Sequence, residues 1–240
     1  MLTAAGVTST GLVRQLNEDQ GSLNGERLVE ASILAVDGGS RPFFAVLADG
    51  MGGHARGEVA SDLVLRTLER HSEALFQSGS CESAMRVANR FIYDAASSNP
   101  EYHGMGSTLV GIAVRDDLCT WFNVGDSRAY LLRDGTLTQM SHDHVPNRGA
   151  SSNRRSHAIT QSLGGGRNYV EIYPSIGEFK LMTKDRIVLC SDGLTDVTSD
   201  EQLRTLLLVS APAQCLENLL AHCFGSGAPD NVTIILMDWS

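Results

Sequence analysis

Apolar positions along this chain fall into short unbroken runs and into helical spacings, and the two kinds come in blocks. Residues 43–47 form an apolar run that ends at Ala48, where Asp49 and the glycines Gly50, Gly52 and Gly53 follow. That pattern predicts a buried strand delivering a carboxylate into a tight turn, with Glu58 opening a helix. A helix over 59–77 is predicted from Ala60, Leu63, Val64, Leu68 and Leu75. A second is predicted from Ala84, Val87, Ala88, Phe91, Ile92 and Ala95, with Ser80 as its cap and Pro100 closing the pair. The middle of the chain reads as strands over 107–114, 118–124 and 129–132, the last turning at Asp134-Gly135 into 137–140. Residues 141–158 are polar and read as a loop, and 169–173 and 186–190 as strands. Thr198 to Gln202 offers a capping box for a helix carrying Leu203, Leu206 and Leu207, and Pro212 opens another that stops at Gly225. A strand is predicted near 33–36 and a last one over 232–237, while residues 1–20 read as a polar, glycine-punctuated segment.

Strand blocks and helix pairs are segregated, which predicts an α+β fold with helices packed on stacked antiparallel sheets. With 240 residues, 42% of them hydrophobic, and no linker or repeat, the chain reads as a single domain over 1–240. A formal charge of −9 argues against nucleic acid or an anionic membrane surface as main partner. The five cysteines, Cys81, Cys119, Cys190, Cys215 and Cys223, are scattered and form no CxxC, as expected of reduced thiols in a cytoplasmic protein. No signal-peptide pattern and no membrane-length apolar run is read.

Four acidic motifs fall at strand ends or adjoining turns: VLADG (Asp49), NVGDS (Asp126), VLCSDG (Asp192) and APDN (Asp230). Asn17-Glu18-Asp19 adds a fifth. Asp-Gly is also a common hairpin turn, and that is the reading for Asp134 and for Asp37. It fails for Asp49 and Asp192, because glycine-rich chain and helix follow instead of a returning strand. Carboxylates that converge cannot all stay ionised without cations, and oxygen ligands without Cys or His point to Mg²⁺ or Mn²⁺. A pair of such ions can activate water toward phosphorus. Arg14, five residues before Asp19, has the planar fork that clamps phosphate oxygens, though by its position alone it reads as an ordinary surface arginine.

The ordered set GLVRQLNED, VLADGMGGHARGEVAS, GMGSTLV, NVGDSRAYLLRDG, SHDH, ITQSLGG, VLCSDGLTD and PDNVTIIL resembles the metal-dependent protein phosphatases (PPM, type 2C), above all their bacterial serine/threonine branch. The resemblance runs from Gly11 to Leu236. It implies a four-layer α-β-β-α sandwich, two antiparallel sheets flanked by helix pairs, with the metals at one end. It implies that Asp49 bridges two metals, that Gly50 offers its carbonyl to one, and that Asp192 and Asp230 hold the other. Glu18 and Asp19 would ligate directly or through water, and Asp126 with Asp192 would hold a weaker third ion. Arg14 would bind phosphate. Gly106, Ser107 and Thr108 match a motif near the site with no direct chemistry assigned.

The implied activity is hydrolysis of phosphoserine and phosphothreonine in proteins by a hydroxide bridging two Mn²⁺ or Mg²⁺ ions. A phosphoprotein made by a Ser/Thr kinase is the implied substrate, and a cytoplasmic monomer the implied form. The sequence departs from the family pattern in a short flap, 143–158, and in a long segment between Asp19 and the strand before Asp49. Arg154 and Arg155 in that flap could grip an acidic substrate, but read first as a solvated basic face. Met51 stands where the eukaryotic branch has a histidine, and His54 reads as structural. Cys81 and Arg86 do not make a cysteine-phosphatase loop, since glycines are missing and the pattern is helical. Gly164-Gly165-Gly166 lacks the lysine of a nucleotide-binding loop. Two alternatives remain open: a catalytically silent phosphoprotein-binding member, and a metal-dependent phosphatase of small phosphoesters.

Overall fold

The computed structural model describes residues 1–39, 42–52, 56–146, 158–208 and 211–240. The chain starts with β1 (Leu2–Ser9), β2 (Asp19–Leu23), β3 (Glu26–Arg27), β4 (Leu34–Gly39) and β5 (Phe43–Met51). Two helices follow, α1 (Arg56–Arg70) and α2 (Ser78–Ser98). Next come β6 (Gly106–Ser107), β7 (Leu109–Arg115), β8 (Leu118–Val124), β9 (Arg128–Arg133), β10 (Thr136–Gln139), β11 (Leu163–Gly164), β12 (Ser175–Lys180) and β13 (Arg186–Cys190). The short α3 (Asp192–Thr195), then α4 (Asp200–Leu207), α5 (Pro212–Gly225) and β14 (Val232–Trp239) complete it.

The strands form two sheets, ordered β10-β9-β13-β14-β1-β4 and β11-β6-β5-β7-β8-β12, with β2 also paired to β5 and β3 to β2. Their ladders are antiparallel. Three apolar layers hold them. Phe43, Leu47, Ile112, Leu189 and Ile235 pack between the sheets. Val46, Phe122, Leu65, Leu68 and Met85 join α1 and α2 to one outer face. Val188, Ile234, Leu203, Leu216 and Leu219 join α4 and α5 to the other. The apolar run of β5 is continuous because both of its faces are covered: Phe43, Ala45 and Leu47 enter the central layer, Phe44, Val46 and Ala48 the helical one. The result is the α-β-β-α sandwich.

Several expectations need correction. Residues 2–9 form a strand paired along its whole length with β14 and over 2–6 with β4, and 19–23 pair with β5. Residues 169–173 are not a strand; the strand begins at Ser175. The first helix stops at Arg70, and a 3-10 turn, Ser72–Phe76, carries Leu75 and Phe76 into the core. Ser80 lies inside α2, donating its hydroxyl to the Ala74 and Gln77 carbonyls rather than capping the helix. Asp37 lies within β4, where its carboxylate accepts from the Gly39 amide, and marks no hairpin. At Asp134 and Gly135 φ is +50° and +74°, the left-handed pair of the expected hairpin. The Ser199–Gln202 capping box forms on both sides. Gly53, His54, Arg154 and Arg155 lie outside the described residues.

Candidate active site

The two sheets bring their acids to one end. In the β2/β5 ladder Asp19 stands directly opposite Asp49. In the other sheet the pair Cys190–Ile234 is the last rung of β13/β14, so Asp192, just past β13, and Asp230, just before β14, leave that sheet at the same end. Ser191 joins the sheets here: its backbone amide donates to Thr233 O at 3.1 Å, and its hydroxyl donates to Asp19 Oδ2 at 2.8 Å. Asp126 sits in the short connection 125–127, where the chain passes from β8 in one sheet to β9 in the other.

Backbone contacts fix these positions. The Ser107 hydroxyl and the Thr108 amide both donate to Asp49 O, at 3.0 and 2.8 Å, and the Asp49 amide donates to Thr108 Oγ1 at 3.1 Å. Thr108 Oγ1 also lies 2.7 Å from Ser127 Oγ, beside Asp126. The motif at 106–108 therefore clamps the strand end that presents Asp49. Asn231 does the same for the Arg14 loop: its amide group donates to Thr10 O and Leu16 O, and its oxygen accepts from the Glu18 amide. Glycine is required at two close approaches. A Cβ on Gly50 would lie 2.1 Å from Gly57 O, and one on Gly193 would lie 1.9 Å from Asn231 O.

Arg14, Glu18, Asp49, Gly50, Asp126, Asp192 and Asp230 all line one cavity of about 520 Å³; Asp19, opposite Asp49 and 2% exposed, is not part of the lining. Asp196, which the sequence reading missed, lines it too. It follows Asp192 by four residues across α3, its amide bonded to Asp192 O at 2.8 Å, so a helical i, i+4 spacing was the available signal. Glu18 is partly committed, since its Oε1 accepts from the Gly57 amide at 3.1 Å. Arg14 donates to Asp230 Oδ2 at 2.6 Å, with its side chain 53% exposed.

Burial and neighbouring charges oppose ionisation at Asp19, Asp49, Asp126 and Asp192. Burial pushes Asp19 up to about 6, against the opposing hydrogen bonds from Thr233 and Ser191. Asp192 rises to about 8, through burial first and then the charges of Asp126, Asp230 and Asp196. Asp49 lies well above the ordinary carboxylate range, through burial and then Asp19 and Asp192. Asp126 is raised as well, chiefly by burial. The hydrogen bond to Asp230 raises Arg14, so its guanidinium stays charged.

Asp19 Oδ1 is buried without a hydrogen-bond partner, an unmet acceptor that a cation satisfies. The described lining contains no Cys or His, an oxygen-only donor set suited to hard divalent ions. No three His, Cys, Asp or Glu side chains among the described residues come together closely enough to hold a metal ion by themselves. The acids ring a roomy cavity instead, which suits ions that keep much of their water. The residues present fit a divalent-cation centre with an arginine at its rim.

The chain is similar to known proteins in sequence and in fold. Residues 29–221 match the family model described as protein phosphatase 2C. The serine/threonine protein phosphatase PstP of Mycobacterium tuberculosis is 34% identical over 254 residues, covering 99% of this chain and 45% of that protein. The chain thus spans about half the length of that relative. The crystal structure of the M. tuberculosis phosphatase PstP/Ppp superimposes with a TM-score of 0.82 at 32% identity, covering 100% of both chains. The PstP catalytic domain solved in complex with two manganese ions gives 0.81 at 33% identity, covering 99% of each.

Proposed function

The chain belongs to the protein phosphatase 2C family, and on that premise we propose that it is a metal-dependent phosphatase of phosphoserine and phosphothreonine in proteins. The observation that carries the reading is the buried, unpartnered Asp19 Oδ1 opposite Asp49, with ionisation resisted at Asp19, Asp49 and Asp192 alike. In this reading Asp49, the Gly50 carbonyl, Asp192 and Asp230 would hold two cations, Asp19 and Glu18 would bind directly or through water, and Asp126 with Asp192 would hold a weaker third. Mn²⁺ or Mg²⁺ in these positions supplies an activated water and neutralises phosphoryl charge.

The chain's own residues then position the substrate. A guanidinium has five donors, and Arg14, held toward the cavity by Asp230, keeps some of them for phosphoryl oxygens. Asn231 fixes the loop that carries it. Thr108 and Ser107 hold Asp49 at its strand end, so the acid facing the reacting group does not have to be ordered during turnover. The chain works as one domain, as a monomer, on a protein phosphorylated by a Ser/Thr kinase. Its five cysteines, all buried and unpaired, suit the reducing cytoplasm, and no helix among the described residues is long and apolar enough to cross a membrane.

The test is turnover of a phosphothreonine peptide, a nucleotide and an aryl phosphate with Mn²⁺, with chelator and in Asp192→Ala. Metal-dependent hydrolysis of the peptide that collapses in the variant is expected. A folded, metal-loaded wild type that turns over nothing leaves a phosphoprotein-binding module, and preference for the nucleotide leaves a small-phosphoester enzyme.

A further inference from the structure

A second cavity, of about 430 Å³, opens beside the acidic one, and Ile159 lines both. Its floor is the backbone of Gly164 to Gly166, and Val170, Ile172 and Tyr173 form a wall. Residues 167–174 belong to no strand or helix, yet side chains hold them firmly. Asn89, wholly buried in α2, accepts from the Gly164 amide at 2.8 Å and donates to Val170 O at 2.9 Å, tying floor to wall. The Tyr93 hydroxyl donates to Gly164 O at 3.1 Å. Gln161 pairs with the Tyr173 backbone as a strand would, accepting from its amide at 2.7 Å and donating to its carbonyl at 3.2 Å. Gly164 has φ +72°, and a Cβ there would sit 2.4 Å from Ile92 Cγ2 and 2.7 Å from Met105 O.

What this frame displays is apolar. Val170 is 61% exposed and Tyr173 66%. Arg86, beside the Tyr173 ring, pairs with both Glu82 and Glu171, Glu171 also lining the groove, and the Arg90 guanidinium lies over the Tyr169 ring at 3.8 Å. The wall therefore offers apolar contact at Val170 and Tyr173, with the Glu171 carboxylate between them in sequence. A hydrogen-bonded, glycine-floored groove that another backbone can approach closely, sharing Ile159 with the acidic cavity, is preorganised for an extended chain.

We propose that this groove binds the polypeptide flank of the substrate's phosphoresidue, with an apolar or aromatic side chain seated on Val170 and Tyr173. The proposal rests on the phosphatase reading above and adds a sequence preference to it. A phosphoserine or phosphothreonine in the acidic cavity puts its own chain neighbours past Ile159, into the groove. Aryl phosphate has no such neighbours and reaches the acids alone.

The experiment uses phosphothreonine peptides in which one Leu or Phe is walked through the flanks of an otherwise Gly/Ser sequence, with aryl phosphate as reference. At one flank position kcat/KM relative to aryl phosphate is expected to rise about 5–30-fold, mainly through KM, the range that one or two well-seated contacts give. Tyr173→Ala and Val170→Ser, both at exposed side chains outside the apolar core, should each remove most of that increment. A flat profile along the peptide, or variants that lower apolar-flanked and Gly/Ser-flanked peptides alike, would overturn the proposal while leaving the phosphatase reading intact. Failure to hydrolyse any peptide or aryl phosphate would sink the phosphatase reading itself.

Discussion

Replacing Asp192 with asparagine should make the protein more stable in chelator while destroying its activity. Burial and the neighbouring charges of Asp126, Asp230 and Asp196 raise the Asp192 carboxyl from an ordinary 3.8 to about 8. In the unfolded chain at pH 7.5 the same carboxyl is ionised. The folded protein must bind a proton or hold an opposed charge, and each pH unit above the unfolded value costs about 1.4 kcal/mol. Over the span to pH 7.5 this approaches 5 kcal/mol at most; water and relaxation in the open cavity reduce it to about 2 kcal/mol. The sign follows from the raised value: the protonated form stabilises fully below about 4, and that contribution is lost as pH rises through about 8. An asparagine at this position would have no proton to lose.

The assay is thermal unfolding in chelator from pH 5 to 8.5. At pH 7.5 Asp192→Asn should melt about 4–8 °C above wild type, on the scaling for a domain of this size. The gap should close toward pH 5. Added Mn²⁺ should reverse the order, because binding to the folded state stabilises wild type and the variant has lost a ligand. If the variant melts below wild type in chelator at pH 7.5, or the gap widens on acidification, the electrostatic account of the site is wrong.

Two other substitutions test its scaffolding and its rim. Thr108→Val removes the oxygen that accepts from the Asp49 amide and meets Ser127, so about 1–2 kcal/mol of stability and at least tenfold in kcat should be lost, with Thr108→Ser restoring both. Equal stability and kcat for Thr108→Val, measured by denaturant unfolding and peptide turnover, would remove the clamp from the argument. Arg14→Lys keeps the charge beside Asp230 but loses the planar fork, so kcat/KM for a phosphothreonine peptide should fall about 10–100-fold with little change in melting temperature. Steady-state kinetics at undiminished kcat/KM would show that Arg14 does not touch phosphate.

The strong local periodicities were legible in the sequence because their causes are local. The helical faces of α1, α2 and α5, the Asp134-Gly135 hairpin and the Ser199–Gln202 capping box are each set by residues a few positions apart, although Val87 and Phe91, expected on the α2 face, are exposed. The acids at or near strand ends were legible too, since Asp49 and Asp192 are followed by glycine-rich chain and helix instead of a returning strand. β1 was not. Both of its faces are buried, Leu2 and Ala4 in one layer and Ala5 and Val7 in another, so its small and polar residues show no alternation. Residues 169–173 failed the opposite way: their β-branched and aromatic content reads as strand, but those side chains line a groove instead of a ladder.

What only the tertiary structure decided is which residues meet. Ser191 reaches Asp19 across 172 positions, Asn231 reaches Leu16 across 215, and Thr108 holds Asp49 across 59. Which strands neighbour one another sets these contacts, and strand order depends on how three apolar layers close over the whole chain. A carboxylate's place in the sequence therefore says that it stands at a strand end. Its partners, and so its charge, come from packing, because desolvation and repulsion act through space and not along the chain.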